Sequence, residues 1–132
     1  VQGSRYLPGG EAVRTPFIRH LAVKMVHAPL ISMAAGFRYT DTTNGFRAFS
    51  REFLLDPGVQ PFREEFEKYN IHYYLAICAP RLGFQLKEIP VKREYPKSGQ
   101  TPTKIRGLSG FASIMWELIM CVLGRYNPDR EV

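Results

Sequence analysis

The stretch Asp41-Thr42-Thr43-Asn44-Gly45-Phe46-Arg47-Ala48-Phe49 joins a cluster of turn-forming residues to a short alternation of apolar and polar residues. Asp, Asn and Thr favour turns because their side chains bond to nearby backbone groups, and Gly adopts backbone angles that other residues avoid. Alternation of apolar and polar residues is typical of a strand, so 46–49 is predicted to be one. Asp41 and Asn44 are therefore expected on a loop.

Helices are predicted on both sides of this stretch. Apolar residues recur at helical spacing over 16–35, and Pro29 is expected to kink that segment or divide it into two helices. Ser50 can cap a short helix that begins directly after it. Helical spacing continues over 71–82 and again over 109–123, so two longer helices are predicted there.

Few strands accompany these helices. Residues 1–6 are predicted to form the end of a strand that enters a loop, with Arg5 at the strand terminus, because Pro8-Gly9-Gly10 cannot continue regular structure. Residues 85–91 form a second candidate strand, and Pro90 places it at a sheet edge or a strand end. The pattern favours an α/β or α+β layer, and further strands of a doubly wound sheet are expected upstream.

Composition limits the function classes. A chain of 132 residues matches one domain, and its net charge of +6 suits partners such as phosphate, anionic lipid or nucleic acid. The two cysteines, Cys78 and Cys121, lie far apart in apolar stretches, which favours reduced thiols and a cytosolic or cytosol-facing location. The longest apolar stretch, 111–123, is too short for a membrane span, and no secretory signal is visible at Val1.

Several segments resemble one enzyme family in the same order. Gly3-Ser4-Arg5-Tyr6 followed by Gly9-Gly10 resembles the family's GSRY…GG segment, and 41–49 resembles its D-x-T-x-G-F-R-x-[FY] motif. Residues 69–84, 88–96 and 102–105 resemble its following helix, its edge strand and its basic acceptor-side loop. On these motifs, which span nearly the whole chain, the protein resembles GT-A glycosyltransferases of family 2, in the dolichyl-phosphate mannosyltransferase-like group.

The resemblance implies an α/β fold in which residues 1–132 form the C-terminal portion of a GT-A (Rossmann-like) domain, few strands with flanking helices. It implies transfer of a sugar from a UDP- or GDP-linked donor to a polyprenyl phosphate or a saccharide acceptor at the cytosolic membrane face. The family binds Mg²⁺ or Mn²⁺ on an Asp-x-Asp motif in its N-terminal half. That motif is missing from this chain, so the isolated chain is expected to be inactive.

His72 and Asp41 are the candidate catalytic residues. His72 stands where the family often places an acid, so it could accept a proton near neutral pH or hydrogen bond to the acceptor. Alternatively, it is a buried histidine packed among neighbouring tyrosines. Asp41 could orient the acceptor, or it could cap the turn through bonds to nearby backbone N–H groups.

The candidate binding residues are mostly cationic, because guanidinium and ammonium groups bind phosphate oxygens. Arg5 and Arg47 are favoured because both belong to matched motifs, whereas Arg19 has an uncertain register. The full set adds two loop residues, where Gly45 would let a substrate approach the backbone: Arg5, Arg47, Asn44, Gly45, Arg93 and Lys104.

Two further segments have alternative interpretations. Lys97-Ser98-Gly99 with Lys104 could close over an acceptor phosphate, or it could be a solvated basic loop. The helix over 109–124 could lie in a membrane interface with Trp116 at headgroup level, or it could be a core helix. In either case exposed apolar surface is expected to promote self-association of the chain.

Two other functions compete with the enzyme fragment. A stand-alone basic module could bind anionic membrane or nucleic acid, but RNA recognition requires stacking aromatics on an exposed sheet, and no such strand pattern occurs. Nucleic acid is therefore not an expected partner. A non-catalytic partner of a complete transferase would also explain the missing Asp-x-Asp motif, but the start of the sequence at Val1, inside a motif, speaks against it.

Overall fold

The computed structural model of the protein describes residues 1–97 and 107–128. These residues form a mixed α/β structure with short strands, as the sequence predicts. The strands are β1 (Gln2–Ser4), β2 (Glu11–Val13), β3 (Glu88–Pro90) and β4 (Lys92–Glu94). The helices are α1 (Phe17–Ala22), α2 (Ala28–Ala35), α3 (Arg51–Leu55), α4 (Asn70–Arg81) and α5 (Gly107–Val122).

The predicted helix over 16–35 is continuous, with an irregular centre. A π-helical turn, Val23–His27, joins α1 directly to α2. Pro29 lies in the first turn of α2, directly after the π turn, and it does not divide the segment. Gly36 ends α2 in the left-handed conformation, with φ 70°.

The strands pair in parallel. β1 pairs with β3, with Gln2 opposite Glu88, and β2 pairs with β4, with Glu11 opposite Lys92. The strand predicted over 46–49 is reduced to one antiparallel bridge between Gln2 and Arg47. Beside it the backbone N–H of Gly3 donates to Phe46 at 2.8 Å, so this segment still lies along β1.

The hydrophobic core lies between α2, α4 and α5. Ile31 of α2 and Leu118 of α5 are fully buried, and α4 contributes buried side chains from most of its length. The hydroxyl of Tyr39 crosses this core and donates to the backbone oxygen of Ala76 at 2.6 Å. The core therefore holds the loop after α2 against α4.

Two helices also expose large apolar side chains. On α5 one face packs on α4, while Trp116 is 62% exposed, and Leu123, directly after the helix, is 71% exposed. On α1, Phe17 and Ile18 are exposed to a similar extent. Within the described part of the chain, none of the helices has the length and apolar character needed to cross a membrane.

Candidate ligand site

The loop from Thr40 to Arg47 is held in place by a buried ion pair between Arg5 and Asp41. The guanidinium of Arg5 donates from Nε to Asp41 Oδ2 at 2.7 Å and from Nη2 to Asp41 Oδ1 at 3.0 Å. Asp41 also accepts from the backbone N–H of Thr43 at 3.3 Å, which is the capping contact that the sequence allowed. Burial is the largest single influence and opposes ionisation of Arg5, but the hydrogen bond to Asp41 and the negative charge of Asp41 together outweigh it and raise the pKa of Arg5.

Glu88 of β3 holds the start of the same loop. Its carboxylate accepts from the backbone N–H of Thr40 at 3.0 Å, from the Thr40 hydroxyl at 2.8 Å and from the backbone N–H of Asp41 at 3.2 Å. Because Glu88 is paired with Gln2 in the sheet, these bonds tie the loop to β1 and β3 together.

Arg47 also holds the loop in place, through hydrogen bonds to backbone oxygens. It donates to the backbone oxygens of His72 and Thr42, both at 2.6 Å, and to that of Asn44 at 3.1 Å. Burial lowers the pKa of Arg47, although an arginine remains protonated at neutral pH. Since His72 belongs to the first turn of α4, Arg47 sets the distance between the loop and that helix.

Arg47 is part of the wall of a cavity of about 470 Å³. Its wall combines the loop, the α1 and π-turn segment, the first turn of α4, β4 and the start of α5. Among the predicted site residues it contains Asn44, Gly45, Arg47, His72 and Arg93. A Cβ atom added to Gly45 would meet no atom within 4 Å, so space is open beside the backbone there.

One end of the cavity carries two arginines on a single aromatic ring. The guanidinium carbons of Arg19 and Arg93 lie 5.8 and 5.3 Å from the ring centroid of Tyr95. Arg19 also donates to the Tyr95 hydroxyl at 3.0 Å. Across residues 1–97 and 107–128, neither arginine forms a salt bridge with a carboxylate. Two like charges side by side suit an anionic ligand between them.

Two histidines line the inner part of the cavity. Burial lowers the pKa of His72, and the positive charge of Arg47 adds to this effect. Burial also lowers the pKa of His27, with a further contribution from Arg19. Both imidazoles are therefore neutral at pH 7, and His72 can accept a proton.

The structure does not bring all predicted site residues together. Arg5 and Asp41 lie behind the cavity wall, where they support the loop, because each satisfies the other inside the fold. Lys104 lies outside the described residues, as does most of the Lys97-Ser98-Gly99 segment.

Sequence reasoning missed three groups that the structure brings to this site: His27, Glu88 as a support of the loop, and Tyr95. The available signals were a histidine within an apolar helical row and a tyrosine two positions after Arg93. Neither signal indicates which distant residues it will meet.

No set of three His, Cys, Asp or Glu side chains suited to a metal ion occurs in the described ranges. The family resemblance places the divalent ion on an Asp-x-Asp motif in the N-terminal half, so no chemical step is assigned to it here. Comparisons with models of protein families, with curated proteins and with solved structures give no match to this chain.

Proposed function

We propose that this chain forms the acceptor side of a family 2, GT-A glycosyltransferase of the dolichyl-phosphate mannosyltransferase-like group. The enzyme would transfer a sugar from a UDP- or GDP-linked donor to a polyprenyl phosphate or a saccharide. The observation that carries the proposal is the pair Arg19 and Arg93 on Tyr95, which lacks a carboxylate partner in the described residues. It supports a phosphate site in the part of the cavity wall around Tyr95.

The apolar part of the same cavity supports a hydrocarbon chain on that phosphate. Ile18, Phe111 and Ile114 line the cavity, and the first two are also exposed at its rim. An isoprenoid chain leaving the phosphate would contact these side chains before it reaches a bilayer. This arrangement favours a location at a membrane surface, with α1 and α5 toward the lipid. The family resemblance implies that the surface is the cytosolic face.

The chemistry follows from the charges. A phosphate acceptor is already an anion, so the two arginines need only hold and orient it. For a saccharide acceptor, the neutral imidazole of His72 would take the proton from the attacking hydroxyl. Arg47 would keep His72 in place through its bond to the backbone oxygen of that residue. The donor and its metal ion would be bound by the N-terminal half of the enzyme.

The test is a transfer assay on the product of the complete reading frame. Nucleotide release is followed with a panel of UDP- and GDP-sugars, Mg²⁺ or Mn²⁺, and polyprenyl phosphate. We expect acceptor-dependent release that falls about tenfold or more in Arg93→Ala, because one charged phosphate contact is lost. His72→Ala is expected to lower transfer to a saccharide more than transfer to a phosphate.

Lys92→Ala is the matched control for Arg93→Ala. It removes the same charge from the same strand, but Lys92 points away from the cavity and pairs with Glu11 at 3.0 Å. Equal losses in the two variants would show that only net charge matters. No release with any donor, together with tight binding to anionic vesicles, would replace the transferase with the basic membrane-binding module.

A further inference from the structure

Tyr95 is a buried residue that lies outside the hydrophobic core. Its exposed fraction is 6%, but it does not belong to the cluster of buried side chains between α2, α4 and α5. It lines the cavity instead, together with Arg19 and Arg93. Hydrophobic packing alone therefore does not account for the position of this tyrosine.

The ring of Tyr95 attracts both guanidinium groups. Their central carbons lie 5.8 Å (Arg19) and 5.3 Å (Arg93) from the ring centroid, within the limit of about 6 Å for a cation–π contact. Two cations beside one ring repel each other, and in the described residues neither has a carboxylate that would offset this repulsion. The negative face of the ring supplies part of the offset and leaves the site open to an anionic ligand.

The hydroxyl of Tyr95 acts on one of the two arginines. Arg19 donates from Nη1 to Tyr95 Oη at 3.0 Å, and among the described residues it is the one donor to this oxygen. The bond fixes one edge of a planar guanidinium, whose remaining N–H groups can meet a phosphate. Tyr95 thus has two separable contacts, because the ring contacts both arginines and the hydroxyl orients Arg19.

The backbone of Tyr95 is held by the end of β2. Its N–H donates to the backbone oxygen of Val13 at 3.1 Å, and its own backbone oxygen accepts from Arg14 Nε at 2.7 Å. Arg14 has a φ of 53°, a left-handed conformation that residues other than glycine seldom adopt. Such conformations persist only where surrounding contacts maintain them, and they are frequent at ligand sites. The ring of Tyr95 is therefore a fixed support for the two arginines.

We infer that Tyr95 is a positioning residue, which holds Arg19 and Arg93 in their phosphate-binding arrangement before a phosphate arrives. The inference rests on the proposed function, because it uses the same phosphate site. It applies to inorganic phosphate and to the phosphate of a lipid alike, since Tyr95 acts through the arginines. Two long side chains that are ordered in advance lose less entropy on binding, so the affinity for phosphate should depend on Tyr95.

The order of the Arg19 side chain without phosphate is the first measurement. NMR relaxation of its Nε–H group gives the order parameter, and Arg19→Lys assigns the signal. We expect an ordered group in the unsubstituted chain and an order parameter below about 0.6 in Tyr95→Phe, which keeps the ring and loses the hydroxyl. The Nε–H group of Arg93 should change little, because its contact is with the ring. A mobile Arg19 in the unsubstituted chain would contradict the inference.

Calorimetric titration with inorganic phosphate and with geranyl phosphate, a short isoprenoid phosphate, measures the effect on binding. Tyr95→Phe should raise both dissociation constants about threefold, and Tyr95→Leu, which also removes the ring, about tenfold. In an Arg19→Ala background Tyr95→Phe should change nothing further, whereas in an Arg93→Ala background it should keep its effect. An effect on geranyl phosphate alone would mean that Tyr95 contacts the hydrocarbon chain, and it would overturn the inference.

Tyr74→Phe is the matched control. Tyr74 is also buried, and its hydroxyl donates to the backbone oxygen of Val59 at 2.7 Å, away from the cavity. Its loss should lower the melting temperature and leave phosphate binding and the order of Arg19 unchanged. If Tyr95→Leu does not fold, the comparison of Tyr95→Phe across the two arginine backgrounds decides.

The outcomes separate this inference from the proposed function. If Arg19→Ala and Arg93→Ala weaken phosphate binding but Tyr95→Phe changes neither binding nor side-chain order, the positioning role is wrong while the phosphate site remains. If Tyr95→Phe weakens binding equally with and without Arg19, Tyr95 has only a structural role and the inference is again wrong. Absence of binding by both phosphates, or binding that Arg93→Ala leaves unchanged, would overturn the proposed function and this inference with it.

Discussion

Arg5 is bonded to a buried carboxylate and Arg47 to three backbone oxygens, whereas Arg19 and Arg93 line the cavity without a carboxylate partner in the described residues. The first two belong to the two most specific motifs by which the sequence resembles a known family. Arg93 lies in the matched edge-strand segment, and Arg19 lies outside the matched segments. An arginine in a matched motif can thus hold a loop of the site in place instead of contacting the ligand. The arginines that meet a ligand can come from segments with a weaker sequence signal.

The largest expected effect concerns the buried ion pair of Arg5 and Asp41. Asp41→Ala leaves the buried guanidinium of Arg5 without its partner, so we expect a loss of about 3–5 kcal/mol in the free energy of unfolding, measured in guanidinium chloride. The control is Glu94→Ala, which breaks the partly exposed pair with Arg14 and should cost less than about 1 kcal/mol. Similar losses in both variants would contradict the enclosed arrangement.

A substitution of arginine by lysine, which keeps the charge but changes the shape, should also distinguish Arg47 from Arg19 by its effect on stability. Arg47→Lys cannot donate to the backbone oxygens of Thr42, Asn44 and His72 at once, so the free energy of unfolding should fall by about 2–3 kcal/mol. Arg19→Lys should change it by less than about 0.5 kcal/mol. Urea denaturation of both variants measures the difference, and a reversed order would refute it.

Removing a cavity arginine should affect binding more than stability. For Arg19→Ala we expect the dissociation constant of inorganic phosphate to rise about tenfold in calorimetry, because one charged contact is lost. Arg38→Ala removes the same charge from an exposed position outside the cavity and should leave the constant unchanged. An equal rise in both would mean that phosphate is attracted only by net charge.

The smallest expected effect is a dependence of stability on pH. Burial, then the charges of Arg19 and Arg47, lower the pKa of His27 and His72 in the folded state. The unfolded state therefore binds more protons below its own histidine pKa of about 6.5, and the free energy of unfolding should decrease as pH falls from about 6.5 to the lowered pKa values. Denaturation at pH 7.5 and 5.0 measures this, and His27→Gln with His72→Gln should flatten the dependence.

Features set by neighbours in the sequence could be predicted. The helix predicted over 71–82 is α4 (Asn70–Arg81), and Ser50 caps α3 by accepting from the backbone N–H of Phe53 at 3.2 Å. The loop position of Asp41 and Asn44 is confirmed as well. These outcomes follow because capping, turn chemistry and helical periodicity act over a few residues.

Features that depend on contacts between residues far apart in the sequence could not be predicted. Tyr95, Arg19 and Arg93 meet because β2 pairs with β4, and α1 follows β2. No periodic pattern in the sequence predicts that β2 pairs with β4. The π turn is equally hidden, because Val23–His27 continues a helical pattern, and one added residue decides where His27 lies. The glycosyltransferase activity stays a prediction from resemblance and from the charge of the cavity.

The parallel pairing of the strands also has a consequence for how the chain reaches this structure. β1 and β2 lie at the start of the chain, and their partners around residues 88 and 92 are translated much later. The helices between them form from local contacts and can assemble first, whereas pairing across such separations is slow. β1 and β2 therefore lack these two partners until residues 88–94 have been synthesised, and protection of the edges that β3 and β4 later cover should govern how much folded protein a cell recovers.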